Sequence, residues 1–230
     1  MTTSGSTDFT VTAGNIIKDA ASLAIGIDDL NELSPEQQSD IIRMLNMMVK
    51  SWQTKVDLWP TTDVQHTLTP GTESYTVSST GDISTPRPLQ LISCRRENSS
   101  GIETKVQVVS REEYKSLPSK STQAPVNIVY YDPQLSAGVL YVWPTGSTND
   151  KILNLTFKRP IEDFDQLSNS PDFPQEWYLA LVYNLASMVG DLYGMPVSPG
   201  VENKALMYLA ELEAFDTEGA SVFIQPNLRG

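Results

Sequence analysis

Apolar residues recur at steps of three and four toward both ends of the chain, and at alternate positions between them. After a start rich in Ser and Thr, which reads as a flexible arm over residues 1–12, Ile16, Ile17, Ala20, Leu23, Ala24 and Ile27 repeat at the helical period. Ser34-Pro35-Glu36-Gln37 then supplies a capping serine, a proline suited to the first helical position and a glutamine placed to complete a capping box. The helix it opens carries Ile41, Ile42, Leu45, Met48, Val49 and Trp52 on one face, and it should end before Trp59-Pro60. Residues 13–59 are predicted to form an N-terminal helical hairpin.

From Pro60 the period shortens to two. Gln65 to Leu68 and Ser74 to Val77 flank Thr69-Pro70-Gly71-Thr72-Glu73, a turn-forming run that predicts a β-hairpin. Strands follow over Leu89 to Glu97 and Glu103 to Val109, with a turn at Asn98 to Gly101. Ser110-Arg111-Glu112-Glu113 has capping-box spacing, so a short helix is expected near 111–117, ended by Pro118. Val126 to Tyr131, Val139 to Trp143 and Ile152 to Lys158 then read as a three-stranded meander. Residues 60–160 are thus predicted to be a β-rich insertion.

Helical spacing resumes after Pro171-Asp172-Phe173-Pro174. Trp177, Leu181, Leu185, Met188, Val189 and Leu192 share a face that Tyr178 and Val182 widen, and Gly194 is placed as a stop. A last helix uses Ala205, Tyr208, Leu209, Leu212 and Phe215, with Glu202, Glu211, Glu213 and Asp216 on its wet side. Residues 161–217 are expected to complete the helical domain, and 218–230 to be an extended tail. Each amphipathic face needs a partner, so the expected class is α+β: a bundle of N- and C-terminal helices with an inserted, mainly antiparallel β domain.

Charge narrows the function classes. The 230 residues carry 28 Asp and Glu against 16 Lys and Arg, a formal charge of −12. A DNA duplex bears about one negative charge per 1.7 Å and is held by Lys and Arg that displace counterions, so tight wrapping of nucleic acid is not expected. The single cysteine, Cys94, makes no disulfide within one chain. No apolar run approaches the ~20 residues that span a bilayer, and MTTSGSTDFT lacks the basic and apolar regions of a signal peptide. A soluble protein made and kept inside the cell is expected.

Candidate chemistry is sparse. His66 is the only histidine and sits within an alternating strand, while Cys94, though beside Arg95 and Arg96, lies mid-strand without a local base. No nucleophile elbow, phosphate loop or Cys-x-x-Cys pattern occurs, so no catalytic, cofactor-binding or metal-ligating residue is assigned and no cofactor is expected. The densest carboxylate cluster, Glu162, Asp163 and Asp165, leaves a two-carboxylate hydrolase as a minor alternative. Tyr130-Tyr131, Tyr141 and Trp143 could be drawn as a stacking platform for single strands, but their sequence flanks are not basic, and packing accounts for them better.

The order of these segments resembles the head-to-tail adaptors of tailed bacteriophages, also called tail accessory factors or packaged-DNA stabilisation proteins, of the P22 type. The anchors are Leu45-Asn46-Met47-Met48-Val49-Lys50-Ser51-Trp52 followed by Leu58-Trp59, and the hairpin stretch from Leu68 to Val77. Val109 to Tyr114 with Leu117-Pro118, Tyr130-Tyr131-Asp132-Pro133-Gln134, Leu140-Tyr141-Val142-Trp143-Pro144 and Leu181-Val182-Tyr183-Asn184-Leu185-Ala186 continue it. The resemblance implies a virion structural protein with no enzymatic activity, made in the host cytoplasm and placed at the head-tail junction. It further implies a ring of about a dozen copies that extends the DNA channel below the portal, helps retain packaged DNA and receives the next tail or nozzle component. Its partners would be the portal protein, neighbouring copies, that downstream protein, and duplex DNA passing without specific binding. Another tail-completion or joining protein of the virion is the alternative. Portal attachment is expected of the tail, where Val222, Phe223 and Ile224 are the apolar run outside any periodic element.

Overall fold

The computed structural model describes residues 4–54, 60–148 and 150–215. The chain divides into two units, one from residues 1–59 with 161–230 and one from residues 60–160.

In the first unit, α1 (Ala13–Ile25) starts at a capping box that the periodicity alone did not reveal. Asn15 N donates to the Thr12 hydroxyl, while the Asn15 side chain accepts from Thr12 N. Gly26, at φ 72°, ends the helix in the left-handed conformation that glycine tolerates best. A 3-10 turn at Leu30–Glu32 leads to α2 (Pro35–Trp52), whose cap is the expected Ser34 and Gln37 pair. A second 3-10 turn, Gln175–Trp177, precedes α4 (Tyr178–Leu192), and α5 (Pro199–Phe215) follows; α3 (Arg111–Ser116) belongs to the other unit. Both α1 and α5 pack on α4. Ile16, Ile17, Ile41, Leu45, Leu181 and Leu185 fill the centre, and Trp52, Phe173 and Trp177 form an aromatic triangle with centroids 5.6–6.4 Å apart. Leu23, read as part of the buried face of α1, is instead exposed.

The segment after residue 160 satisfies the backbone of the first two helices. Ala13 N and Gly14 N, unpaired donors of the first turn of α1, give hydrogen bonds of 2.8 Å to Asn169 O and Leu167 O. The Asn46 side chain bonds both the N–H and the C=O of Phe164 at 2.8 Å. The Lys50 ammonium donates to Ile161 O and pairs with Asp163 at 2.7 Å.

The second unit holds β1 (Thr61–Thr67), β2 (Ser74–Ser78), β3 (Ile83–Ser84), β4 (Gln90–Asn98), β5 (Glu103–Val108), the short helix α3 (Arg111–Ser116), β6 (Ile128–Asp132), β7 (Gly138–Trp143) and β8 (Asp150–Lys158). They form one eight-stranded sheet in the order β1-β8-β4-β5-β6-β7-β2-β3. The end strands approach each other, and the His66 ring on β1 lies 4.4 Å from the Tyr75 ring on β2, so the sheet curls into a nearly closed barrel. Val77, Val106, Val129, Leu140, Val142, Leu153, Leu155 and Phe157 pack its interior. A bulge at Ile92 in β4, between the paired Leu91 and Ser93, leaves Ile92 exposed and lets Leu91 and Cys94 both face inward despite their odd spacing.

This architecture corrects the expected class. The protein is mixed α/β with an eight-stranded, barrel-like sheet and helices, and not an α+β bundle of N- and C-terminal helices with an inserted β domain, although most strand pairings are antiparallel as expected. Strands adjacent in sequence are often not partners. The Pro70-Gly71 turn forms, with Thr72 N bonded to Thr69 O and Gly71 at φ 82°, yet β1 pairs with β8 and β2 with β7, so no hairpin results. The meander fails in the same way, because β8 leaves β7 and inserts between β1 and β4. Two pairings are parallel, β2 with β3 and β5 with β6, the latter because the connection through α3 is long enough for a crossover.

Tyr131 and Gly138 give a sharp test of the interior. A Cβ at Gly138 would lie 2.2 Å from the Tyr131 hydroxyl, and that ring is held by a 2.8 Å hydrogen bond to Pro88 O and an edge contact with Phe157. Gly138→Ala should lower stability by about 1–3 kcal/mol as measured by urea denaturation, with no such loss for Gly146→Ala, where an added Cβ meets only ordinary contacts with Leu68.

Candidate functional site

Most of the residues singled out for chemistry are engaged in packing or pairing. Cys94 is buried in the barrel, and burial pushes its thiol up to about 12, with the Arg95 charge opposing only weakly. Of the carboxylate cluster, Asp163 is ion-paired with Lys50, while the backbone N–H groups of Glu162 and Asp165 are bound by the side chains of Asp172 and Asn169. Among the described residues no cluster of His, Cys, Asp and Glu is arranged to hold a metal ion.

His66 stands at the seam of the barrel. Its ring packs edge-on against Tyr75, and its Nε2 is buried without a hydrogen-bond partner. Burial lowers its pKa, and the nearby Asp82 only partly offsets this. Asp82 is itself engaged: its carboxylate accepts from Thr76 N at 2.8 Å and from the Thr76 hydroxyl at 2.7 Å, which fixes the turn between β2 and β3 and holds the acid below its ordinary range. The lone histidine is therefore a packing element of the closure.

The tyrosines divide by strand parity. Tyr131 points inward, where burial raises its hydroxyl to about 12, whereas Tyr130 and its cross-strand partner Tyr141 lie on the outer face with rings 5.7 Å apart and 11° from parallel. Tyr114 from α3 packs on both, at 6.0 and 5.4 Å. The α3 helix also brings cations that the strand flanks lack. Arg111 donates from Nε to the Tyr130 hydroxyl at 2.8 Å and pairs with Asp132 at 2.6 Å; Lys120 lies 4.5 Å from the Tyr114 ring centroid while its ammonium caps the carbonyls at the end of α3. The Tyr130 hydrogen bond, then the Asp132 charge, raise the Arg111 pKa further.

Arg111, Tyr114, Lys115, Tyr130, Asp132 and Tyr141 line a cavity of about 270 Å³ on this face. Tyr and Arg held rigid by stacking and hydrogen bonds lose little entropy on contact, which suits a protein-binding surface. Sequence reasoning missed Arg111, Tyr114, Lys115 and Asp132. The available signal was the three-residue spacing of Arg111 and Tyr114 in a capped helix, which places both on one side. Trp143, grouped with the platform, instead donates its indole N–H to Ser119 O at 3.1 Å. Val222, Phe223 and Ile224, the expected partner-binding residues, lie outside the described residues.

Comparison with protein families gives a match over residues 11–223 to the family described as SU10 adaptor protein. No curated protein matches the chain.

The seam predicts a pH dependence. Because the folded pKa of His66 lies below its unfolded value, near 6.5, the unfolded chain binds the extra proton first. Stability should be level above that pH and fall as pH drops from about 6.5 toward the folded value. Urea denaturation of wild type and His66→Phe at stepped pH should show a flatter profile for the variant in that window. Parallel profiles would remove His66 as the cause.

Proposed function

Because the chain belongs to the SU10 adaptor protein family, and so is a bacteriophage structural adaptor that joins portal and tail components at the head-tail junction, we propose that it works as a ring. About a dozen copies close below the portal through a heterologous interface, in which one face of a subunit meets a different face of its neighbour. The ring extends the DNA channel, helps retain the packaged genome and presents an attachment site for the next tail component, as packaged-DNA stabilising tail accessory factors do. The family match over residues 11–223 carries the adaptor role on which this reading builds. The net charge of −12 supports the channel role, since subunits of this charge around a lumen repel phosphate and leave DNA free to slide. With a Debye length of about 8 Å at physiological salt, only charges lining the bore act.

The outer tyrosine face of Tyr114, Tyr130 and Tyr141 is assigned to the downstream tail protein. Portal attachment is assigned to the C-terminal segment, with Val222, Phe223 and Ile224 as its apolar anchor.

Electron microscopy of the protein mixed with its portal should show a closed ring on the portal's narrow end with an acidic bore. An unbound protein, an open arrangement or a basic bore would overturn the assignment. In the same mixture, deletion of residues 217–230 should abolish portal capture; undiminished capture would remove the tail as the anchor.

A further inference from the structure

In the helical unit, Met47, Met48 and Trp52 of α2 and Met188 of α4 line a groove of about 390 Å³. Of the three polar residues on its wall, Ser51, Asn184 and Ser187, two are engaged within the unit. The Ser51 hydroxyl donates to Met48 O at 2.7 Å, and the Asn184 amide donates to Ala180 O and Ala205 O at 2.9 and 3.0 Å. The last of these bonds sets α5 beside the groove. What the groove offers is thus three thioethers and an indole, a lining that adapts in shape and favours an aromatic guest. Since an apolar cavity of about 150 Å³ takes benzene, there is room for a phenylalanine ring and a second apolar side chain.

The course of the chain leads one segment there. α5 runs back along α4: Met195 N, just ahead of α5, donates to Gly190 O at 2.8 Å, Ala205 is bonded to Asn184, and the Tyr208 ring lies 5.3 Å from that of Tyr183. α5 therefore ends, at Phe215, toward the start of α4, where the Trp177 ring meets Trp52 at 6.0 Å. This is the Trp52 mouth of the groove. Residues 216–221 then separate α5 from Val222-Phe223-Ile224, an apolar run with an aromatic residue at its centre. Six extended residues span up to about 20 Å, whereas α4 advances only about 14 Å from Tyr178 to Ser187. The run can reach the groove of its own unit.

We propose that the free protein holds Phe223, with a neighbouring apolar side chain of the run, in the α2–α4 groove of its own chain, and that the run leaves the groove when the portal captures it. The proposal rests on the reading of Val222, Phe223 and Ile224 as the portal anchor and names what covers that anchor beforehand. Groove and portal compete for one segment, so the apparent affinity for the portal scales with the fraction of molecules in which the segment is free.

The free protein and its portal test this. Met47 is 53% exposed, so Met47→Lys alters the groove without entering the core. Chymotrypsin should cut the variant after Phe223 about tenfold faster than wild type, because cleavage tracks the undocked population. Met47→Cys with Gln225→Cys should form a disulfide within one chain under mild oxidation, and buried Cys94 does not compete. The linked protein should lose portal capture about tenfold and recover it on reduction. Equal cleavage rates, linkage only between chains, or undiminished capture of the linked protein would overturn the groove contact while leaving the anchor reading in place. Undiminished capture of the protein lacking residues 217–230 would overturn the anchor reading and the groove contact together.

Discussion

The ladder between β1 and β8 is the constraint on which the rest of the structure depends. It runs in register from Thr61 opposite Lys158 to Thr67 opposite Ile152, joining positions some ninety residues apart, and Arg159 N closes it on Pro60 O at 2.8 Å. Residues 60 and 159, at the two ends of the barrel unit, are thereby held side by side. Closing so long a loop adds little to the equilibrium cost, which grows only logarithmically with length, but such non-local pairing is slow to find.

Inside the barrel, the same ladder sets what each strand can carry. The central strands present large aliphatic residues inward, while β1 offers Thr62, Val64 and His66, all only partly buried. The closure carries smaller and more polar side chains than the central strands: the His66 Nε2 is buried without a hydrogen-bond partner, and the Tyr75 hydroxyl is bound to the Thr69 backbone. Elsewhere the fit is tight. Tyr131 lies over Gly138 and fills the space a side chain would occupy.

What the fold leaves outward differs between the two units. Of the ionisable residues at the centre of the sequence reading, His66 lies in the barrel seam, Cys94 in the core and Asp163 in an ion pair with Lys50. What remains outward is a rigid tyrosine face with an Arg111–Asp132 pair in the barrel, and exposed Leu and Met side chains on the helices. The chain belongs to a family of structural adaptors.

Local physics was legible in the sequence. The caps at Ser34 and Ser110, the end of α4, the turn at Pro70-Gly71 and most strand positions follow from spacing and backbone preference among near neighbours. Strand partnership was not, because an alternating pattern shows which side of a strand is buried but not which strand lies beside it. The hairpin and meander readings failed there, and the fold class with them. The candidate surface was half legible for the same reason. Tyr130 and Tyr141 could be named from strand sequence, but their cations come from α3, which the parallel pairing of β5 and β6 carries alongside. The sequence by itself determined the main helices, most of the strands and the caps at Ser34 and Ser110, since these depend on residues within a few positions of one another. Only the tertiary structure decided the barrel, its seam at His66 and the tyrosine face, since each brings together side chains from strands and helices distant in sequence.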